Sequence, residues 1–176
     1  MNRDFDRVGL ESRLSLRHGA FGINNQAQFG LRVMNEEMLD TSGNADRATP
    51  RFRVMDKEVR DSSSSLALFT ENRIDLNDRL AVTAGLRMES YEQHRKDLKT
   101  PAKSGKYSNT EFLPGLGATY QLTPETQLYG SIYQAFGPPI VGSVVNVSDE
   151  PKPEKSINVE MGLRGSVNGV QYEVTA

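Results

Sequence analysis

The sequence lacks several features that would each define a class of protein. It contains no cysteine, which excludes disulfide bonds, thiolate metal sites and cysteine nucleophiles. No run of about 18 apolar residues occurs, which excludes a transmembrane helix. The net charge of −2 over 176 residues provides no global attraction to nucleic acid. The first residues, Met1-Asn2-Arg3-Asp4, have no apolar core of the kind that a signal peptide needs.

What the sequence does contain is eight short stretches in which apolar and polar residues alternate. Side chains on a strand point alternately to its two faces, so each stretch predicts an apolar face opposite a polar one. The connections alternate between short and long, which is typical of a transmembrane β-barrel with tight turns at one end. The predicted strands lie near Phe5–Arg17, Gln26–Met34, Leu66–Leu76, Leu80–Glu89, Phe112–Leu122, Gln127–Phe136, Ile157–Arg164 and Val170–Ala176.

Two turns fix the predicted register. The apolar positions of the third and fourth strands fall on even numbers, so a three-residue turn at 77–79 must set Ile74 opposite Val82. Glu71 then lies diagonal to Arg87, which suggests an ion pair between them. Asn168-Gly169 is a type I′ hairpin signal, because that turn needs positive φ at both positions. A two-residue turn there pairs Val167 with Val170, Gly165 with Tyr172 and Leu163 with Val174.

Three longer polar segments are predicted to be loops: Glu36–Ser65, Gln93–Asn109 and Gly137–Lys155. The facing of the sixth strand stays ambiguous, because Leu128 and Ile132 compete with Tyr129 and Tyr133 for the apolar face. The eighth strand spans only about seven residues, against the roughly nine to eleven that cross a bilayer. We therefore expect residues 1–176 to be one partial barrel domain, an interior slice of a larger barrel.

Three blocks resemble the barrel of TonB-dependent outer-membrane receptors, especially the ferric-siderophore group. They are LALFTENRIDLNDRLAVTAGLRMES, FLPGLGATYQLTPETQLYGSIYQAFGPP and PKPEKSINVEMGLRG. The third is the most specific, and it is similar to the family's Pro-Glu-x-Ser-x-Asn-x-Glu-x-Gly-x-Arg pattern at positions 153–164. A further segment, FGLRVMNEEMLD, is similar to strands of ferric citrate-type receptors.

The resemblance implies an antiparallel, 22-stranded barrel in the outer membrane of a Gram-negative bacterium, with short periplasmic turns and long extracellular loops. It implies a plug domain in the lumen, a ferric-siderophore ligand and energy from the TonB complex. A plug, an energy-coupling box, a signal peptide and a terminal aromatic strand are not recognised in this sequence. We therefore assign the expected function, uptake of iron chelates, to the parent protein.

Charged residues on the predicted polar face are candidates for contact with a plug or a passing ligand; a solvated or mutually paired wall is the competing interpretation. Arg87 and Arg164 are the strongest candidates, because arginine makes bidentate bonds to carboxylates. Glu89 and Glu160 are further candidates. The remaining members of this set are Arg13, Arg32, Glu71 and Arg73.

The segment Gln93–Asn109 is basic. If it is extracellular, it could attract an anionic ferric chelate or bind lipopolysaccharide phosphates, because a cleft of one charge sign concentrates ligands of the other. An ordinary solvated loop is an equally good interpretation. The candidate ligand-binding residues are Arg95, Lys96, Lys99, Lys103 and Lys106.

No protein-bound metal and no cofactor are expected. His18 and His94 are predicted at opposite ends of the barrel, whereas metal ligands must converge within about 2 Å of one ion. Neither histidine has an evident serine or acidic partner, so an enzyme is not favoured. Iron would enter inside its chelator.

Two other architectures stay open at this point. A small self-contained outer-membrane barrel with a structural or adhesive role predicts closure between the first and last strands. A soluble β-sandwich would leave the alternation of long and short connections unexplained.

Overall fold

The computed structural model describes residues 1–20, 22–45, 47–48, 53–138 and 152–176. They form one eight-stranded antiparallel sheet in which each strand pairs with the next along the chain. A one-turn 3-10 helix, Pro101–Lys103, is the helical element of the described residues. The strands are β1 Asn2–Ala20, β2 Ile23–Ala45, β3 Arg53–Asp75, β4 Leu80–Asp97, β5 Gly105–Thr123, β6 Thr126–Gly137, β7 Glu154–Val167 and β8 Val170–Thr175.

Both predicted turns are confirmed. Ile74 lies opposite Val82 across the β3–β4 turn. The Asn77 side-chain oxygen accepts hydrogen bonds from the amides of Arg79 and Leu80, each at 2.9 Å. Asn168 and Gly169 have φ of 51° and 80°, as a type I′ turn requires. The β7–β8 ladder then pairs Val167 with Val170, Gly165 with Tyr172 and Leu163 with Val174.

Two of the three predicted loops are wrong, because most of their residues continue the ladder. β2 and β3 stay paired as far as Ala45 and Arg53, and β4 and β5 as far as Arg95 and Gly105. Strand pairing is made by backbone groups, so side chains that are polar on both faces do not end it. The third predicted loop, Gly137–Lys155, is shortened at one end by β6, which includes Gly137, and at the other by β7, which begins at Glu154. Its residues 139–151 lie outside the described part.

One face of the sheet carries a continuous apolar band. On β4 the band runs from Leu80 to Met88, roughly nine residues, which is the length that crosses a bilayer. Above Met88 the same face turns polar at Ser90 and Glu92. Exposed members of the band include Val8, Leu10, Leu14, Leu16, Phe29, Val33, Leu66, Leu68, Leu86, Phe112, Leu116, Tyr120, Leu128, Ile132, Val159, Met161 and Val174.

The sheet register resolves the facing of β6. Leu128 lies opposite Tyr120, and Ile132 opposite Leu116, so both belong to the apolar band. Tyr129 and Tyr133 therefore lie on the other side of the sheet, which we call the polar face. No helix in the described part of the chain is both long and apolar enough to cross a membrane.

Candidate functional site

A row of facing residues crosses the centre of the polar face. Arg32, Ala67, Glu89 and Glu111 lie directly opposite one another on β2 to β5. The small side chain of Ala67 leaves room above it, so Arg32 Nη2 reaches Glu89 Oε1 at 3.3 Å. Arg87 Nε donates to the same oxygen at 2.6 Å. Glu89 is only 7% exposed, so two cations compensate one largely buried carboxylate.

The neighbouring carboxylate has its own partners. Lys155 Nζ lies 2.7 Å from Glu111 Oε2. Asn109 Nδ2 donates to Glu111 Oε1 at 2.7 Å. Glu89 and Glu111 face each other across the β4–β5 ladder, where two uncompensated like charges would be unfavourable. The separate cations explain how both carboxylates can be buried side by side.

Arg87 does not form the predicted ion pair with Glu71. It contacts Glu89 two residues along its own strand, and its guanidinium carbon lies 5.3 Å from the centre of the Phe69 ring. Arg13 lies at 5.6 Å from the same ring centre. The aromatic ring attracts both guanidiniums. Arg87 rests over Phe69, which lies directly opposite it on β3, and from there its Nε reaches Glu89.

The two candidates on β7, Glu160 and Arg164, form hydrogen bonds to neutral side chains rather than ion pairs. Arg164 donates to Gln127 Oε1 through Nε at 3.0 Å and Nη2 at 2.8 Å, and its guanidinium carbon lies 5.3 Å from the Tyr129 ring centre. Glu160 accepts a hydrogen bond from the Tyr133 hydroxyl at 2.9 Å. Both Arg164 and Glu160 remain exposed.

Arg73 and Arg13, two of the remaining candidates on the polar face, form ion pairs on their own strands, whereas Glu71 forms none with the described residues. Arg73 Nε lies 3.0 Å from Asp75 Oδ1, and Arg13 Nη2 lies 2.7 Å from Glu11 Oε1. Both pairs join residues two apart on one strand. Much of the polar face is therefore a mutually paired wall, and only some of its charges are available to a partner.

The five basic candidates do not line one cleft. Arg95 lies on the polar face, opposite Asp61, with Nη1 at 3.8 Å from Asp61 Oδ1. Lys96 and Lys106 lie on the other face, above the apolar band, and Lys106 Nζ contacts Glu92 Oε2 at 2.8 Å. Lys99 and Lys103 belong to the short connection between β4 and β5. Because the segment is strand rather than loop, alternation sends neighbouring residues to opposite faces.

Asp61 and Glu92 are carboxylates of this upper region whose pKa values are shifted in opposite directions. Burial raises the pKa of Asp61, while the charge of Arg95 opposes that shift. The hydrogen bond from Lys106, followed by that from His94, lowers the pKa of Glu92. Both carboxylates lie above the apolar band and therefore outside the membrane-spanning part of the sheet.

Sequence reasoning missed an aromatic cluster next to the carboxylate row. The ring centre of Tyr91 lies 5.9 Å from those of Tyr107 and Phe136. Phe136 and Tyr91 line a cavity of about 390 Å³ together with Arg32, Glu89 and Gln93. Tyr91 and Tyr107 have odd numbers, as do the polar-face residues of β4 and β5, so the sequence could have placed both tyrosines on the polar face. Alternation along β6, in contrast, predicts that Phe136 lies on the apolar face.

The two histidines lie at opposite ends of the sheet, His18 near the β1–β2 turn and His94 in the upper part of β4. Among the described residues, no three or more His, Cys, Asp or Glu side chains come together in a way that could hold a metal ion.

An antiparallel sheet with a bilayer-high apolar band on one face and paired charges on the other defines a wall segment of a transmembrane β-barrel. The family model "TonB dependent receptor-like, beta-barrel" matches residues 2–176. The chain therefore belongs to the TonB-dependent receptor β-barrel family, whose members lie in the outer membrane of Gram-negative bacteria. The relatives are transport receptors rather than enzymes.

Individual relatives agree with this family. The pesticin receptor of Yersinia enterocolitica is 29% identical over 145 residues, which cover 77% of this chain and 21% of the receptor. The ferrienterobactin receptor of Escherichia coli strain K12 is 25% identical over 191 residues, covering 98% of this chain and 25% of that protein. The chain thus spans about a quarter of the length of the curated relatives it matches.

A solved structure shows the same fold. The ferric citrate transporter FecA in its unliganded form superposes with a TM-score of 0.84 at 22% identity, over 98% of this chain and 27% of the transporter. The predicted fold class, an antiparallel segment of a transmembrane barrel, is confirmed.

Proposed function

We propose that this chain is part of the barrel wall of a receptor that takes up ferric-siderophore or ferric-citrate-type complexes by TonB-dependent active transport. The observation that carries this proposal is the polar face, whose paired charges lie opposite a lipid-facing band and so line a lumen. The names of the relatives, a ferrienterobactin receptor and a ferric citrate transporter, supply the substrate class. Residues 1–176 then form one part of the barrel domain.

The lumen of such a barrel would be filled by a plug domain of the same polypeptide. Among the candidate plug contacts, Glu160 and Arg164 are the most accessible, since each has only neutral hydrogen-bond partners on the wall. Arg87 and Glu89 already compensate each other, so a plug residue would have to join or replace one of these partners. Arginine's planar donors suit a plug carboxylate, and Glu160 suits a plug cation.

The basic residues divide between two partners. Arg95, on the polar face, is the member of that set which a chelate entering the lumen would meet. Lys96 and Lys106, above the apolar band on the outer face, are placed to meet lipopolysaccharide phosphates. Lys99 and Lys103 lie in the connection at the top of this strand pair, where their charge would attract an anionic chelate.

A small self-contained barrel with a structural or adhesive role is the alternative. It requires β1 to pair with β8. In the sheet formed by the described residues, β1 and β8 are the two edges and do not meet.

Iron-limited growth tests the proposal. A strain without its own ferric chelate receptors, carrying the full-length gene, is supplied with ferric citrate or ferric enterobactin as the only iron source. We expect growth on at least one chelate, and loss of that growth when the energy-transducing TonB protein is deleted. Growth that persists without TonB, or uptake of a substrate unrelated to iron, would contradict the proposal.

A further inference from the structure

The wall of the sheet is not paired to its full height between β5 and β6. β5 starts at Gly105 and pairs with β4 along its length. Its ladder with β6, in contrast, stops at the pair Gly115–Tyr133. β6 and β7 remain paired with each other up to Gly137 and Glu154. Above Tyr133 the two strands therefore leave β5 together; we call residues 134–138 and 154–156 the arm.

Pro114 explains where the ladder stops. The Gln121 amide donates to the Arg79 carbonyl at 2.8 Å, which places the bonding groups of odd-numbered β5 residues towards β4. Bonding direction alternates along an antiparallel strand, so even-numbered residues point towards β6. Pro114 is therefore the next residue that should donate an amide hydrogen to β6, and proline has none.

Above Pro114, a backbone amide at the free edge of β5 finds its hydrogen-bond acceptor within β5 itself. The amide of Thr110, which points towards the missing partner, donates instead to the side-chain oxygen of Asn109 at 2.8 Å. Pro138, at the end of the arm, also lacks an amide hydrogen. A ladder between the arm and β5 would thus lack donors at two positions, which weakens strand pairing at this seam.

Two contacts hold the arm over the polar face. The Phe136 ring stacks on Tyr91, with ring centres 5.9 Å apart and planes tilted by 25°. Lys155, the partner of Phe136 in the β6–β7 ladder, reaches Glu111 with Nζ at 2.7 Å. Alternation along β6 and β7 would have placed both side chains on the outer face. Their inward position shows that the arm is turned, and that both of its strands are anchored on β4 and β5.

We propose that the arm is a conformational gate with two positions. In the inward position it rests on Tyr91 and Glu111 and narrows the cavity beside Arg32 and Glu89. In the wall position it pairs with β5 between Phe112 and Pro114, which completes the wall and opens the upper part of the lumen. Only a few backbone hydrogen bonds favour the wall position, because Pro114 and Pro138 have no amide hydrogen to donate. The stacking of Phe136 on Tyr91 and the ion pair of Lys155 with Glu111 therefore suffice to hold the arm inward.

A disulfide trap tests the gate. The substitutions Leu113→Cys and Ala135→Cys would face each other in the wall position as a non-hydrogen-bonded pair, whose Cα atoms lie about 4.5 Å apart and within reach of a disulfide. This segment has no other cysteine. The pair leaves Tyr91, Glu111, Phe136 and Lys155 unchanged. The experiment uses the full-length receptor in outer-membrane vesicles under mild oxidation, without added chelate.

We expect slow cross-linking with the cysteine pair alone and at least several-fold faster cross-linking when Phe136→Ala or Lys155→Gln is added. Lys155→Arg, which keeps the ion pair, should cross-link at the slow rate. Each variant is first required to show heat-modifiable migration, which reports a folded barrel. Equal rates in all variants would overturn the proposal, as would fast cross-linking of the starting pair or no cross-linking in any variant.

Discussion

The phenyl ring of Phe69 fills the space directly over Gly30. A methyl group at position 30 would collide with three atoms of the ring, because the two residues face each other across the β2–β3 ladder on the polar face. The absence of a side chain at Gly30 on β2 thus leaves room for the large ring of Phe69 on β3. The ring in turn lies between Arg13 and Arg87, so this relationship also positions the charges of the wall.

Gly30→Ala should therefore destabilise the barrel by about 1–3 kcal/mol, the usual cost of overpacking. The measurement is the urea midpoint of heat-modifiable migration for the full-length protein. Gly117→Ala is the matched control on the same face, since its nearest neighbour would lie at an ordinary 3.6 Å. The double variant with Phe69→Ala should recover much of the loss; an equally low midpoint in the double variant would contradict the overpacking explanation.

Removal of the Glu89 charge should leave Arg32 and Arg87 without their shared partner. We expect Glu89→Gln to cost about 1–2 kcal/mol, less than a fully buried pair because both guanidiniums are about one third exposed. The same urea midpoint measures this loss. Glu71→Gln is the control, an exposed polar-face glutamate outside the ion pairs of the described residues. If the urea midpoint of the Glu89 variant were no lower than that of this control, the central row would not stabilise the wall.

The apolar band predicts where a new charge is tolerated. Ala84→Arg, in the middle of the band on β4, should cost about 2–4 kcal/mol or prevent membrane assembly. Ser90→Arg lies on the same face of the same strand but above Met88, and it should assemble normally. The yield of folded protein in outer-membrane fractions compares the two variants. Equal yields would place the membrane boundary elsewhere.

The β4–β5 connection should loosen in acid. The Asp97 carboxylate accepts hydrogen bonds from the amides of Thr100 at 2.7 Å and Lys99 at 2.9 Å, which lower its pKa below the ordinary 3.8. A depressed pKa in the folded state stabilises the turn above pH 3.8, and this contribution disappears as the pH falls through the lowered value.

Hydrogen exchange of these two amides measures the effect. We expect Asp97→Ala to remove their protection at neutral pH, whereas Asp97→Asn, which keeps an acceptor oxygen without the charge, retains part of it. Protection that is the same in the alanine variant as in the parent would show that the carboxylate does not organise this turn.

Local chemistry made the hairpins predictable. Asn168 and Gly169 tolerate the positive φ that their turn requires, and Asn77 provides an acceptor for two turn amides, so both registers follow from a few neighbouring residues. The band was predictable for a similar reason, since lipid requires an apolar side chain at every second position. These features depend on local spacing and solvent, which the sequence displays directly.

The upper strands were not predictable in this way. Their side chains are polar on both faces, so no period distinguishes Glu36–Ser65 from a loop, and the facing of Arg95 and Lys96 became clear only with the ladder. The arm depends on a contact between residues that are distant in sequence, Tyr91 and Phe136. A local signal did exist: Pro114 in the middle of a strand indicates an interrupted ladder.

The continuation of β2 and β3 beyond the band has a mechanical consequence. Above Met34, β2 pairs with β1 as far as Thr41 and with β3 as far as Ala45, a length of roughly 36 Å at about 3.3 Å per residue. A tilt of about 10° at the level of Met34 would displace the end of β2 by roughly 6 Å over that length. Small changes in the inclination of the sheet would thus be amplified at the upper ends of these strands, beyond the membrane-spanning band.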